Sequence, residues 1–150
     1  MSAHDEELRY TLPVYAQLPF EPVEGRGAWL FDAEGRKVLD LYGGHAVAVL
    51  GYDHPALIQA VTAQLGRLPF QSNAIAMDVR AEAARRLVDF APAALTHAFF
   101  VNSGAEANEN ALRLACLVTG RKRIVAVSHA FHGRTAAAGA VTWAATSAGT

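Results

Sequence analysis

The sequence predicts an α/β protein built on a parallel sheet, and three observations carry that reading. The apolar run Phe99-Phe100-Val101 passes through Asn102-Ser103-Gly104 into a helical pattern that puts Leu112, Ala115 and Val118 near one face. Beyond that helix, Gly120 and the basic Arg121-Lys122-Arg123 lead into a second apolar run, Ile124-Val125-Ala126-Val127. Ahead of it, two stretches starting near Pro55 and Asp78 repeat apolar residues at helical period. A strand, helix and strand at this spacing form a βαβ unit, whose strands run parallel and whose ligands gather at their carboxyl ends.

Composition sets the outer limits. With 150 residues, 52% hydrophobic and 18% charged, the chain is globular and large enough for one core. A formal net charge of −1 gives no basic excess for a nucleic-acid backbone, and no RNA-binding or zinc-finger signature occurs. The one cysteine, Cys116, rules out an internal disulfide, favours a reducing compartment and reads as a small core residue. No apolar run reaches the roughly 20 residues needed to cross a bilayer. Met1 to Tyr10 is polar and acidic, unlike a secretory signal, so a cytoplasmic location is expected.

In chain order, Ser2 to Arg9 reads as a frayed or weakly helical arm, and Pro13, Pro19 and Pro22 keep the next segment extended and irregular. Gly27 to Phe31 begins a strand, Asp32-Ala33-Glu34-Gly35 turns it, and Lys37 to Leu41 returns as the second arm of an antiparallel hairpin. Gly25-Arg26-Gly27 opens like a dinucleotide fingerprint but precedes the strand and lacks the third glycine. Tyr42 to Gly51 is apolar, glycine-rich and poorly periodic, a backbone suited to close approach by another element or a ligand. Pro55 opens a helix with Leu57, Ile58, Val61 and Leu65 on one face and Gly66 as its stop. After Gln71-Ser72-Asn73, a helix from about Asp78 to Phe90 buries Val79, Ala83, Leu87 and Phe90, and Pro92 ends it.

The turn into the central helix carries the chemistry. Its first backbone N–H groups lack intrahelical partners, Gly104 admits close approach, and Ser103 adds a hydroxyl, which together make a seat for an anion such as phosphate. Ser103 with Glu106 three residues on also reads as a capping box, which needs no ligand and is compatible with the seat. The basic 121–123 cluster reads as the dipole complement of a helix end. The βαβ unit brings the Ser103-Gly104-Ala105 loop to a second one, Ser128-His129-Ala130-Phe131-His132-Gly133-Arg134-Thr135. There Phe131 is a face for stacking on a planar heterocycle or a core residue, and Arg134 a bidentate clamp for a carboxylate or a solvated charge. His129 and His132 have no partner at zinc-like spacing, so no metal is expected. Phosphate-loop, nucleophile-elbow and kinase motifs are absent.

A series of blocks, taken together, resembles one family. They are Gly27-Ala28-Trp29-Leu30-Phe31-Asp32-Ala33-Glu34-Gly35-Arg36, Gly43-Gly44-His45-Ala46-Val47, Gly51-Tyr52-Asp53-His54-Pro55, Val101 to Glu109, and Ala130-Phe131-His132-Gly133-Arg134-Thr135. In order and spacing the chain resembles the N-terminal part of the class III, ω-amino-acid aminotransferases, nearest the acetylornithine branch of arginine or lysine biosynthesis. That resemblance implies the fold type I pyridoxal-phosphate architecture, with residues 1–54 beginning the small α+β domain and 55–150 starting the large, mainly parallel α/β/α domain. It implies that Ser103, Gly104 and Ala105 hold the phosphate of pyridoxal 5′-phosphate and that Phe131 stacks on its ring. Arg134 would bind a substrate carboxylate remote from the reacting amine, Tyr15 would contribute to substrate recognition, and His45 would lie in a substrate-facing glycine-rich loop. His45 departs from the aliphatic residue many acetylornithine enzymes carry there. Homodimerisation is implied too, because family active sites form between subunits.

Family members also need a lysine that links covalently to the cofactor and an aspartate for the pyridinium nitrogen. The lysines here are Lys37, beside the hairpin turn, and Lys122, at the far end of the central helix, and neither position suits that role. The tail Ser147-Ala148-Gly149-Thr150 shows no sign of a finished domain, so the chain reads as an N-terminal fragment, inactive alone. The expected parent moves an amino group between N-acetylornithine and 2-oxoglutarate. Alternatives are an ornithine, succinylornithine or 4-aminobutyrate aminotransferase, or a non-catalytic truncated chain.

Overall fold

The computed structural model describes residues 2–143, in two compact units, Met1–Ile75 and Ala76–Thr150. The tail Ser147-Ala148-Gly149-Thr150 lies outside the described residues.

The first unit opens with α1 (Ala3–Tyr10), so of the two expected states of this arm the helical one is found, and it is capped. The Ser2 hydroxyl accepts the Asp5 N–H at 3.1 Å and the Asp5 carboxylate accepts the Ser2 N–H at 3.2 Å, the reciprocal box that holds a short helix. The expected hairpin is present as β2 (Trp29–Asp32) and β3 (Lys37–Leu39), antiparallel, with Leu30 opposite Val38. Its turn is fixed by Asp32, the buried carboxylate, which accepts the Arg36 N–H at 2.7 Å and the Arg36 Nε–H at 2.9 Å. Lys37 lays its ammonium 3.9 Å over the Trp29 ring across the same pair of strands.

The proline-containing stretch before the hairpin is not irregular throughout. It supplies an edge strand, β1 (Pro22–Arg26), antiparallel to β2 and completing the order β1-β2-β3. Pro22 is tolerated because it is the first residue of an edge strand, beside a register shift between Pro22 and Glu24. Gly25 faces the Tyr52 ring so closely that a Cβ there would lie 2.6 Å from its Cγ, and Gly27 and Tyr52 exchange backbone hydrogen bonds of 2.9 and 2.7 Å. These glycines fit a tyrosine against a sheet edge.

The element labelled α2 (Gly43–Ala46) is a left-handed turn: Gly43, Gly44, His45 and Ala46 all have φ between 57° and 61°. Glycine tolerates that region, whereas histidine and alanine are strained in it. Helix α3 (Pro55–Arg67) starts at Pro55 as expected but runs through Gly66. Pro69 sets its end, because the residue before a proline is pushed out of the helical region, and Leu68 is extended at φ −160°, ψ 94°.

In the second unit, α4 (Asp78–Phe90) and α5 (Gly104–Thr119) match their expected spans, Gly120 closes α5 in the left-handed conformation, and a short α6 (Ala136–Val141) follows. The expected strands at 99–101 and 124–127 do not form among the described residues, so the βαβ unit is not completed within them. Phe99 is 71% exposed and Val125 95% exposed. An extended run becomes a strand only through a paired neighbour, and none of the described segments pairs with either. The expected buried faces of α3 and α4 are likewise open: Leu57, Ile58 and Val61 are about half exposed and Phe90 is 91% exposed. Among the described residues the buried apolar side chain is Ala138, where α6 packs on α5. On α5 the half-buried stripe is Ala105, Glu109, Leu112 and Cys116, and the expected Ala115 and Val118 are exposed. No helix among the described residues is long and apolar enough to cross a membrane.

Because Ala46 holds a positive φ with a side chain, Ala46→Gly relieves strain that exceeds glycine's entropic cost. The variant is expected to be more stable by roughly 0.5–1 kcal/mol, read as a higher denaturant midpoint at unchanged slope.

Candidate functional site

At the start of α5, Ser103 is extended at φ −151°, ψ 159° and its hydroxyl accepts the Glu106 N–H at 3.1 Å. The Glu106 carboxylate accepts the Asn102 N–H at 2.8 Å, one residue before the cap, so the expected capping box is realised in one half only. That arrangement leaves the amides of Gly104 and Ala105 without an acceptor among the described residues. A Cβ built on Gly104 would meet nothing within 4 Å, so the helix end is open. The Ser103 hydroxyl, having accepted one bond, still has a proton to donate. Two free amides, a hydroxyl and the positive end of a 16-residue helix form a donor set suited to an anion.

The 128–135 loop is seated on this same helix end. Gly133 has φ 134°, and a Cβ on it would lie 2.5 Å from the Cβ of Ala105, an approach open only to glycine. On one side of Gly133 the Asn108 side-chain amide donates to the His132 carbonyl at 2.7 Å. On the other side the Glu109 carboxylate accepts from the Thr135 hydroxyl at 2.7 Å and from the N–H groups of Ala137 and Ala138 at 2.8 and 3.1 Å. Thr135 is the N-cap residue of α6 but makes no capping bond of its own, and Glu109 of α5 caps that helix in its place. From behind, the Thr142 hydroxyl accepts the His132 and Gly133 N–H groups at 2.9 and 3.2 Å. Hydrogen bonding from Thr135, then from the Ala138 and Ala137 amides, holds the Glu109 carboxyl below its ordinary range.

Phe131 is 63% exposed, and among the described residues its ring is not packed as core. Arg134 is exposed on the same loop. His129 takes the left-handed conformation at φ 65° with its ring centroid 4.1 Å from that of Trp143. Among the described residues no three His, Cys, Asp or Glu side chains gather as metal ligands.

Tyr15 and His45 belong to the first unit. Tyr15 is exposed in the extended stretch after α1, and His45 sits in the left-handed turn with its ring centroid 4.5 Å from that of Tyr42. The turn is pinned by Asp40, which accepts the N–H groups of Tyr42 and Gly43 at 2.9 and 2.8 Å and the Tyr52 hydroxyl at 2.5 Å. The Tyr52 hydroxyl and the Gly43 amide lower the Asp40 pKa, and the same carboxylate raises that of Tyr52. Asp40, Asn108, Glu109 and Thr142 escaped the sequence reading. For Glu109 a signal existed, since it shares helical spacing with Ala105, Leu112 and Cys116, and a carboxylate on such a stripe needs partners.

Residues 11–149 match the aminotransferase class-III family. The chain belongs to that family. This class-III chain is 42% identical over 143 residues to the acetylornithine aminotransferase of Methanopyrus kandleri, covering 95% of its own length and 37% of the relative's. It is 48% identical over 130 residues to the acetylornithine aminotransferase of Corynebacterium efficiens, covering 83% and 32%. A PLP-bound aminotransferase mutant from Vibrio fluvialis superposes with a TM-score of 0.84 at 26% identity, over 97% of this chain and 35% of that one. The class-III chain thus carries part of the pyridoxal-phosphate transferase fold type I and spans about a third of the length of the curated relatives it matches.

Two outcomes follow from this geometry. Gly133→Ala is expected to push the loop off Ala105 and to cost about 1–3 kcal/mol, measured as a lowered denaturation midpoint. The folded pKa of Glu109 is depressed, so its contribution is full above the ordinary 4.5 and lost as pH falls through the folded value. Glu109→Gln is therefore expected to flatten the fall in stability on acidification below about pH 4.5, measured by denaturant unfolding across that range.

Proposed function

We propose that this chain is the N-terminal part of a pyridoxal 5′-phosphate-dependent aminotransferase that moves an amino group between N-acetylornithine, or a related ω-amino acid, and 2-oxoglutarate in arginine or lysine biosynthesis. The observation that carries this reading is the seating of the 131–135 loop on the open N-terminus of α5, with Gly133 against Ala105. The donor set there suits a phosphate dianion, and an exposed aromatic lies on the loop beside it.

In this reading Ser103, Gly104 and Ala105 receive the phosphate through one hydroxyl and two amides. Phe131 would offer its face to the pyridine ring. The cofactor, when bound, supplies the electron sink for moving the amino group. Arg134 takes the substrate carboxylate remote from the amine, where a guanidinium gives both charge and a planar fork. Tyr15 and His45 contact the substrate from the small domain, residues 1–54, while 55–150 begin the large domain. The protein works as a homodimer in the cytoplasm.

The lysine that links to the cofactor lies outside these 150 residues. Lys122 follows the C-terminus of the 16-residue α5, roughly 24 Å of helix from the phosphate seat. Lys37 is engaged on the Trp29 ring.

The test is an absorbance spectrum of the 150-residue chain with pyridoxal phosphate, followed by borohydride reduction and peptide mapping. Scattered label or none is expected, and a stoichiometric adduct at Lys37 or Lys122 would overturn this placement of the chemistry. In the longest polypeptide that the coding sequence yields, N-acetylornithine is expected to be the best amine donor among it, ornithine, succinylornithine and 4-aminobutyrate. There, Phe131→Ala is expected to weaken cofactor binding roughly 3- to 10-fold, the worth of one aromatic contact, by equilibrium titration.

A further inference from the structure

We propose that Glu109 is a positioning residue for cofactor binding, acting with Asn108 as a two-point tether that sets the stacking loop over the phosphate seat. The proposal rests on the reading that the α5 N-terminus holds the cofactor phosphate, and it names what holds the second half of that site in place.

The two tethers leave consecutive residues of α5 and grip the loop on either side of Gly133. Asn108 donates to the His132 carbonyl at 2.7 Å, directly after Phe131 in the chain. Glu109 accepts the Thr135 hydroxyl at 2.7 Å and the Ala137 and Ala138 amides at 2.8 and 3.1 Å, directly after Arg134. Phe131 and Arg134 are thus each adjacent to a residue fixed to the helix that begins with Ser103. The Thr142 hydroxyl also accepts the His132 and Gly133 amides, but it does so from the end of α6 and not from α5. In the 131–135 loop Phe131 and Arg134 are exposed and Gly133 is buried, and α6 is only six residues long, too short to persist without tertiary support. Capping by a carboxylate from a neighbouring helix supplies that support and satisfies the amides that Thr135 leaves open. A stacking platform held by charge-assisted bonds to the phosphate-binding helix is preorganised, and loss of the bonds spreads the ring's position without removing any group that touches the cofactor.

The experiment uses the longest polypeptide that the coding sequence yields, with pyridoxamine 5′-phosphate as the probe, since it binds without forming a bond to lysine. Backbone hydrogen exchange at Ala137 and Ala138 is read in the cofactor-free protein, and affinity and the induced near-ultraviolet dichroism of the probe are read by titration. Glu109→Ala is expected to speed exchange at those amides at least tenfold, leave α4 unchanged, weaken binding by on the order of tenfold and reduce the dichroism. Glu109→Gln, which keeps one acceptor oxygen, is expected to recover part of each. Faster exchange with unaltered affinity and dichroism would make Glu109 merely structural and overturn the proposal. If Glu109→Ala also loosens α4, Asn108→Ala decides: weaker binding with α4 intact supports the tether, and unchanged binding overturns it. Failure of the unsubstituted protein to bind the probe would instead sink the phosphate-seat reading, and the proposal with it.

Discussion

A carboxylate on one helix capping the start of another is the contact on which the packing of α6 and its preceding loop on α5 depends. Glu109 gathers the Thr135 hydroxyl and two amides of α6, and through them Ala138 closes on α5. Without a neighbouring acceptor, six residues of helix gain too few internal bonds to offset the cost of nucleation. The same contact sets where the 131–135 loop can lie, because Gly133 is pressed on Ala105 from the other side. Helix N-terminus and loop are therefore built as one object, an anion-ready donor set with an aromatic and an arginine on the loop beside it.

The first unit solves a comparable problem by comparable means. Asp40 collects two backbone amides and the Tyr52 hydroxyl, and the turn it pins runs left-handed through Gly43, Gly44, His45 and Ala46. Strain of that kind persists only where the surroundings over-determine the backbone, and it concentrates where a side chain must be presented in one direction.

What the sequence made legible was what local chemistry decides. Periodicity and punctuation located α3, α4 and α5, and turn residues located the β2–β3 hairpin. The order of short blocks was specific enough to point to the family. Non-local pairing was harder to read. Phe99 to Val101 and Ile124 to Val127 have strand composition, yet a strand exists only with a partner, and among the described residues they have none. Pro22 hid an edge strand by looking like a breaker, and Gly66 looked like a helix stop that Pro69 supplied two residues beyond Arg67. At the candidate site, Ser103, Gly104 and Phe131 carry their chemistry in their own residue types. Glu109 and Asp40 do not, because each acts on backbone amides that composition cannot reveal.

Receipt of a phosphate by the open amides of Gly104 and Ala105 is the step on which the proposed site rests. It is tested most directly by following those two amide resonances in the longest polypeptide that the coding sequence yields, titrated with pyridoxamine 5′-phosphate and, separately, with pyridoxamine lacking the phosphate. Large shifts at Gly104 and Ala105 are expected with the phosphate ester alone. Equal shifts with both compounds, or no shift at these residues while the ester binds, would show that the phosphate is held elsewhere.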